Sequence, residues 1–132
     1  MEIVAQFLKD NRIFYIATTE GNQPHVRPFG AVCIFNGKLY FGTGNQKSVS
    51  KQMKANPKVE ISTTTPNGTT WLRLAAEAVV HDCREARQAM LDATPSIKGI
   101  YNADDGIFEV FYLQNAVGSI CSRNGHVETY AF

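Results

Sequence analysis

"RPFGAVCIFNGKLYFGTGNQKSVSKQMKANP", residues 27–57, carries the decisive order of signals in this chain. An arginine stands early in a strand-like run. Asn36-Gly37 is the strongest hairpin signal of the sequence, because both residues tolerate the positive φ that a tight two-residue turn requires. "KLYFGT" (38–43) is then the antiparallel partner of the run before it. The polar turn "GNQKS" opens a short helix over 47–55, and Asn56-Pro57 disfavours its continuation. A strand that ends in a small-residue turn at a helix start offers backbone N–H groups to an anion. Basic and hydroxyl side chains stand at the same place, so the segment reads as a phosphate cradle. It is not a P-loop, because "GTGNQKS" lacks the glycine spacing of that motif.

Outward from this segment, residues 2–10 put Ile3, Val4, Phe7 and Leu8 on one face of a short amphipathic helix. "RIFYIATT" (12–19) reads as a strand, and "HVRPFGAVCIF" (25–35) as a second. Pro28 marks an edge, a strand start or a bulge, because it donates no ladder hydrogen bond. "KVEISTTT" (58–65) and "TTWLRLAAEAVVHD" (69–82) read as further strands, and "CREARQAMLDAT" (83–94) as a helix with Ala86, Ala89, Met90 and Ala93 toward one side. "PSIKGIYNADDG" (95–106) reads as an irregular connection. "IFEVFYLQ" and "AVGSICS" read as a final hairpin across Asn115. At least six strands at short spacing, with two or three small helices, suggest a small antiparallel barrel with helical additions.

At 132 residues the chain suits one domain, 1–132. A net charge of +1 gives no reason to expect a nucleic-acid or acidic-membrane partner. Cys33, Cys83 and Cys121 form no C-x-x-C pair, and an odd number of free thiols suits a reducing cytoplasm. No apolar run approaches the ~20 residues needed to span a bilayer, and Glu2 with no basic N-terminal region argues against a signal peptide.

Several residues can carry chemistry. Arg27 suits a phosphate or a ring carbonyl through its planar fork, although its spacing alone favours a strand arginine in a surface ion pair. Phe29-Gly30 fits a glycine that lets a planar ring approach, and equally a core phenylalanine beside a bulge. Lys47 is a cation at a helix N-terminus, where it opposes the macrodipole; a bound anion explains it, and so does plain solvation. Ser48 suits an N-cap. Lys51 and Gln52, one turn on, look like surface helix residues. Trp71 and Arg73 share a strand face, where a tryptophan is more often packing than binding. His25, His81 and His126 have no metal-ligand spacing, and Asp104-Asp105 in "NADDG" is a solvated turn. No metal site is expected.

"HVRPFGAV", "LYFGTGNQKSVSKQMKANPKVEI", "WLRLAAEAVV" and "GIFEVFYLQNAVGSICS" follow in this order, and together they resemble the pyridoxamine 5′-phosphate oxidase-like, FMN-binding split-barrel family over nearly the whole chain. The resemblance implies a mainly β fold with small helices, a six- to seven-stranded antiparallel split β-barrel. It implies FMN as cofactor and a homodimer with the flavin at the subunit interface. By position it carries cofactor binding onto Arg27, Pro28, Phe29, Gly30, Gly42, Thr43, Lys47, Ser48 and Gln52, and onto Trp71, a position that relatives often reach from the second subunit and whose subunit the sequence leaves open. It also implies an FMN-binding oxidoreductase or flavin reductase, with a possible nicotinamide donor and an unidentified small acceptor. The alternative on the same barrel is a non-enzymatic flavin or haem carrier or a stress-related sensor. Arg123 and His126 do not reproduce the C-terminal substrate motif of the authentic oxidase, so vitamin B6 oxidation is not expected. Nitroimidazole-resistance relatives carry a histidine near the strand end held here by Gly42-Thr43, and its absence weakens that assignment. No catalytic residue is assigned; Tyr101, Tyr112 and His126 are unsupported guesses for a proton donor.

Overall fold

In a computed structural model that describes residues 1–132, three helices and eight strands follow one another. They are α1 (Glu2–Asn11), β1 (Phe14–Glu20), β2 (Gln23–Phe29), β3 (Val32–Phe35), β4 (Lys38–Gly44), α2 (Ser48–Ala55), β5 (Lys58–Thr64), β6 (Thr70–Val80), α3 (Arg84–Ala93), β7 (Phe108–Ser122) and β8 (Val127–Ala131). One 3₁₀ turn, Pro95–Ile97, interrupts the connection between α3 and β7. The strands form one antiparallel sheet in the order β2-β1-β5-β6-β7-β4-β3, with β8 beside the far half of β7.

The Asn36-Gly37 turn forms as the sequence predicts. Both residues have positive φ, 50° and 74°, and Phe35 faces Lys38 across the hairpin. Positive φ at both central positions matches the twist of the flanking strands.

The 25–35 segment is not one strand. It breaks at Gly30-Ala31, and β2 and β3 lie at opposite ends of the sheet order. Two residues thus carry the chain from one edge of the curled sheet to the other, and the barrel is split there. Pro28, paired to Tyr15, sits on an edge strand that has no partner on its other side, so its missing N–H breaks no ladder.

The final segment also differs from expectation. Asn115 is not a turn: β7 runs unbroken from Phe108 to Ser122, and Asn115 adopts φ 51° inside it. Against β6, Ala75 faces Val117 while Glu77 faces Gln114, a register shift. Asn tolerates this left-handed conformation as a single residue, which makes a bulge rather than a reversal. The last hairpin lies instead between β7 and β8, where Gly125 has φ 93°. Splitting one strand, fusing two and adding β8 turns the seven segments read as strands into eight.

Alternation along β5 and β6 sends Val59, Ile61, Leu72, Leu74, Ala76 and Ala78 into the barrel. In α1, Val4, Ala5 and Leu8 meet this core, whereas Ile3 is exposed. β4 is apolar on both faces: Leu39 and Phe41 face the barrel core, while Tyr40 faces a second cluster under α3. α3 contributes Ala86, Met90 and Leu91 to that cluster, and Ala93 is left exposed at its end.

Cys33 is buried in the second cluster. Burial pushes its thiol from 9.0 up to about 11, with Lys9 pulling more weakly the other way. A raised folded-state value favours the neutral thiol, so its contribution to stability is complete below pH 9.0 and is lost as pH rises toward about 11. The midpoint of urea denaturation should fall over this interval, and the Cys33→Ala variant should fall less steeply. Equal slopes would mean that the thiol does not ionise on unfolding.

Candidate functional site: a cationic cavity at the split

The break between β2 and β3 opens onto a cavity of about 710 Å³, within the ~300–1,000 Å³ usual for small-molecule sites. Its walls come from the end of α1 (Lys9, Arg12, Ile13), the passage Arg27–Val32, the end of β4 (Gly42, Thr43), the start of α2 (Lys47, Val49) and the segment from Ala93 to Tyr101, with Phe108 at the back.

Charge distinguishes this cavity. Four of its 20 lining residues are Lys or Arg and none is Asp or Glu. Lys9, Arg12, Arg27 and Lys47 have no ion-pair partner; elsewhere Lys54, Lys58, Arg73, Arg84, Arg87 and Lys98 each have one and Lys38, Lys51 and Arg123, scattered over the surface, do not. A second cavity, about 610 Å³, lies on the other side of Phe108. There Lys54 pairs with Glu109 at 2.9 Å and Arg87 with Asp82. Cations in one cavity are neutralised by the protein, and those in the other are left for something else.

Arg27 is held rather than free. Nη1 donates to Ile16 O (3.2 Å) and to Thr18 Oγ1 (2.8 Å), and Nη2 donates to Gln52 Oε1 (2.6 Å). Thr18 in turn donates to Gln52. All these acceptors are neutral, and burial lowers the guanidinium's pKa from its ordinary value. The expected surface ion pair is absent. Gln52 is buried and does not line the cavity; it orients Arg27 from behind.

Lys47, not Ser48, is the N-cap residue of α2, with φ −75° and ψ 150°. No side chain caps this end and no acidic residue occupies its first turn. A helix start leaves its first amide N–H groups short of intrahelical partners; here the Lys47 N–H donates to Gly44 O and the Ser50 N–H to Lys47 O, both at 3.1 Å, and Lys47 and Val49 line the cavity. Ser48 begins the helix without lining the cavity. Thr43 is 4% exposed and lies in the wall, next to Gly42.

Gly42 has a packing reason of its own. A Cβ there would stand 2.7 and 2.8 Å from ring carbons of Phe108 and 3.4 Å from Met90 Cγ. Gly42→Ala should therefore destabilise the ligand-free protein by about 1–3 kcal/mol, the range for overpacking, as urea denaturation would measure. Wild-type stability would mean that Phe108 moves freely. Gly30 is the opposite case: a Cβ there meets nothing nearer than 3.8 Å, so its lack of a side chain leaves the cavity's mouth open rather than fitting the protein's own atoms.

The split thus brings together Arg27, Pro28, Phe29, Gly30, Gly42, Thr43 and Lys47, seven of the residues expected from sequence. Trp71 is elsewhere. It is half-buried on the outer face of β6, facing Thr64 and Cys121. Lys9 and Arg12 line the cavity without having been expected there; of the three guesses for a proton donor, Tyr101 lines it and Tyr112 and His126 do not.

The sequence model of pyridoxamine 5′-phosphate oxidase matches residues 1–109. The chain belongs to the pyridoxamine 5′-phosphate oxidase-like family. Within this family it is similar to a NimC/NimA family protein of Clostridium acetobutylicum, with 48% identity over all of this chain and 92% of that one and a TM-score of 0.96. The weakening of the nitroimidazole-resistance assignment by the missing histidine at Gly42-Thr43 finds no support in that likeness. A pyridoxamine 5′-phosphate oxidase-related, FMN-binding protein of Nostoc punctiforme shares the fold at 17% identity, covering 99% of this chain and 94% of that one, TM-score 0.66. A heme-binding protein of Mycobacterium smegmatis does so at 18%, covering 96% and 56%, TM-score 0.73. No curated protein matches the sequence. The family's split barrel is the fold described above, and no helix is long and apolar enough to cross a membrane.

Proposed function

We propose that the cavity at the split binds FMN and that the protein is an FMN-dependent oxidoreductase. The observation that carries this reading is the pair Arg27 and Lys47, both without a carboxylate partner, in a cavity whose lining has no acid. Lys47, Arg27 and the first-turn amides of α2 would hold the phosphate, with Thr43 adding a hydroxyl. The Pro28–Gly30 backbone and Phe29 would lie along the ring. When bound, FMN supplies the redox chemistry, and the chain supplies placement, exclusion of water and electrostatics. Family membership and an FMN-binding relative of the same fold support the choice of cofactor. A haem carrier on this barrel is less well supported, because no His, Cys or Met lines the cavity and Tyr101 is the one side chain there of a type that ligates haem iron.

The homodimer is proposed on the outer face of the sheet. Tyr15, Val26, Val117 and Val127 are exposed there, and the register runs Val26, Ala17, Glu60, Ala75, Val117 and Ala131 across it, with Glu60 the one charged member and paired to Arg73. Apolar and small side chains collected on one face suit a second copy. Trp71 lies on the same face, where a partner's site could receive it. The electron donor is proposed to be a nicotinamide cofactor, and the three free cysteines suit a cytoplasmic setting.

The purified protein should be yellow, with flavin absorbance that NADH or NADPH bleaches and air restores. A colourless protein that ignores added FMN would overturn the reading. A yellow protein that no nicotinamide bleaches would leave a flavin carrier.

A further inference from the structure

Three non-glycine residues have positive φ: Arg12, Asn36 and Asn115. The two asparagines occupy a hairpin turn and a bulge, where their short amide side chains make that conformation acceptable. Arg12 has no such reason. It follows α1 with φ 63° and ψ −62°, and the N–H of Ile13 donates to Asn11 O at 2.7 Å. This is a γ-turn of the left-handed kind, rare and strained for an L-residue. Glycine or asparagine is the ordinary choice just past a helix end. Strained backbone of this sort concentrates at ligand sites.

The strain accompanies a position. Arg12 and Lys9, one turn earlier, are exposed on the cavity rim and carry no carboxylate partner. Lys9 has a helix-end reason to be there, since a cation suits the last turn; Arg12 needs another. The two rise from the α1 end, which packs on β3, whereas Arg27 is tied to β1 and α2. The cations therefore fall into two groups. A dianionic phosphate held by Arg27 and Lys47 leaves the other pair unneutralised. The same cavity is lined by Ile13, 52% exposed and next to Arg12 in the chain, and by Ile100, 71% exposed, and Ile97 in the Ala93–Tyr101 wall.

We propose that Arg12, assisted by Lys9, binds the anionic head group of a second ligand, a small acid with an apolar body that lies against Ile13, Ile97 and Ile100. This assignment rests on the flavin reading, because it takes Arg27 and Lys47 to be occupied by the cofactor. It identifies the unidentified acceptor by class, as a carboxylate- or phosphate-bearing small molecule.

Benzoate and its neutral analogue benzamide test it on the FMN-loaded protein, by perturbation of the flavin absorbance. Benzoate should bind at least about 10-fold tighter than benzamide, from one charge-assisted contact. Arg12→Gly should abolish that preference, leave benzamide binding and FMN affinity unchanged, and raise the melting temperature of the ligand-free protein by about 2–4 °C through relief of the turn. Arg12→Lys should keep most of the preference. Equal weakening of both probes, or a lower melting temperature in Arg12→Gly, would overturn the proposal. So would a loss of FMN affinity as large as that of Lys47→Ala, which would move Arg12 into the cofactor's phosphate site. If the wild-type protein takes up no FMN, the flavin reading fails separately. Calorimetry with the same two probes then decides the head-group role: an Arg12-dependent preference supports it, and none overturns it.

Discussion

Lys47→Ala should weaken FMN binding by about 10- to 100-fold, the worth of one hydrogen bond to a charged group, and should leave the ligand-free protein as stable as wild type. The two halves of this expectation have one cause. Lys47 is exposed, pairs with no carboxylate, and caps α2 only with its backbone. A cation at a helix start is mildly unfavourable, by about 0.3–1 kcal/mol, so its removal takes nothing from the empty protein. An anion reverses the balance, because it is attracted to the lysine, the helix dipole and the first-turn amides together. Fluorescence titration of FMN and thermal melts of the ligand-free variant read the two quantities independently. A fall in melting temperature would make Lys47 a structural residue. Unchanged affinity at low salt, where surface electrostatics are least screened, would remove the phosphate from the start of α2.

Local signals in the sequence foretold most of the elements, and long-range placement accounts for what they missed. Asn36-Gly37 predicts its hairpin because the signal is contained in the turn itself. Asn124-Gly125 lies in the longer turn that closes the β7–β8 hairpin, where only Gly125 has positive φ, a signal not drawn upon. Asn115 shows the converse difficulty: one left-handed residue makes either a turn or a bulge, and only the 11-residue β6 lying alongside both halves decides for the bulge. The break at Gly30 is similar, since nothing local says that β3 departs for the opposite edge. Within the site, Arg27, Thr43 and Lys47 were legible because strand end, turn and helix start adjoin in sequence. Lys9 and Arg12 were not, because the face of a helix and the first residue of an expected strand, as 12–19 was read, give no hint of a cavity 15 residues away along the chain. Gln52 was legible as a polar residue near the site, but its burial behind Arg27 is a tertiary fact.

Arg27→Ala should be the more damaging change and, unlike Lys47→Ala, should lower both FMN affinity and intrinsic stability. Three of the five guanidinium N–H donors are committed to Ile16, Thr18 and Gln52, which leaves Nε–H and one Nη2 hydrogen for a ligand. A group already fixed by its neighbours gives up little freedom on binding, so its loss should reduce affinity by about 100-fold or more, the upper end for a charged hydrogen bond. The same three bonds bind β2 to β1 and α2. Their loss, partly offset by removing a half-buried cation that has no counter-charge, should lower the stability of the ligand-free protein by about 1–2 kcal/mol in urea denaturation. Arg27→Lys keeps the charge without the fork, so it should restore only part of the affinity. The double variant with Lys47→Ala supplies the deciding comparison. Two cations on one phosphate are coupled, so the combined loss should differ from the sum of the single losses by at least about 0.5 kcal/mol. Strict additivity would put Arg27 and Lys47 on different groups of the ligand, and a single phosphate site shared between β2 and α2 would have to be abandoned.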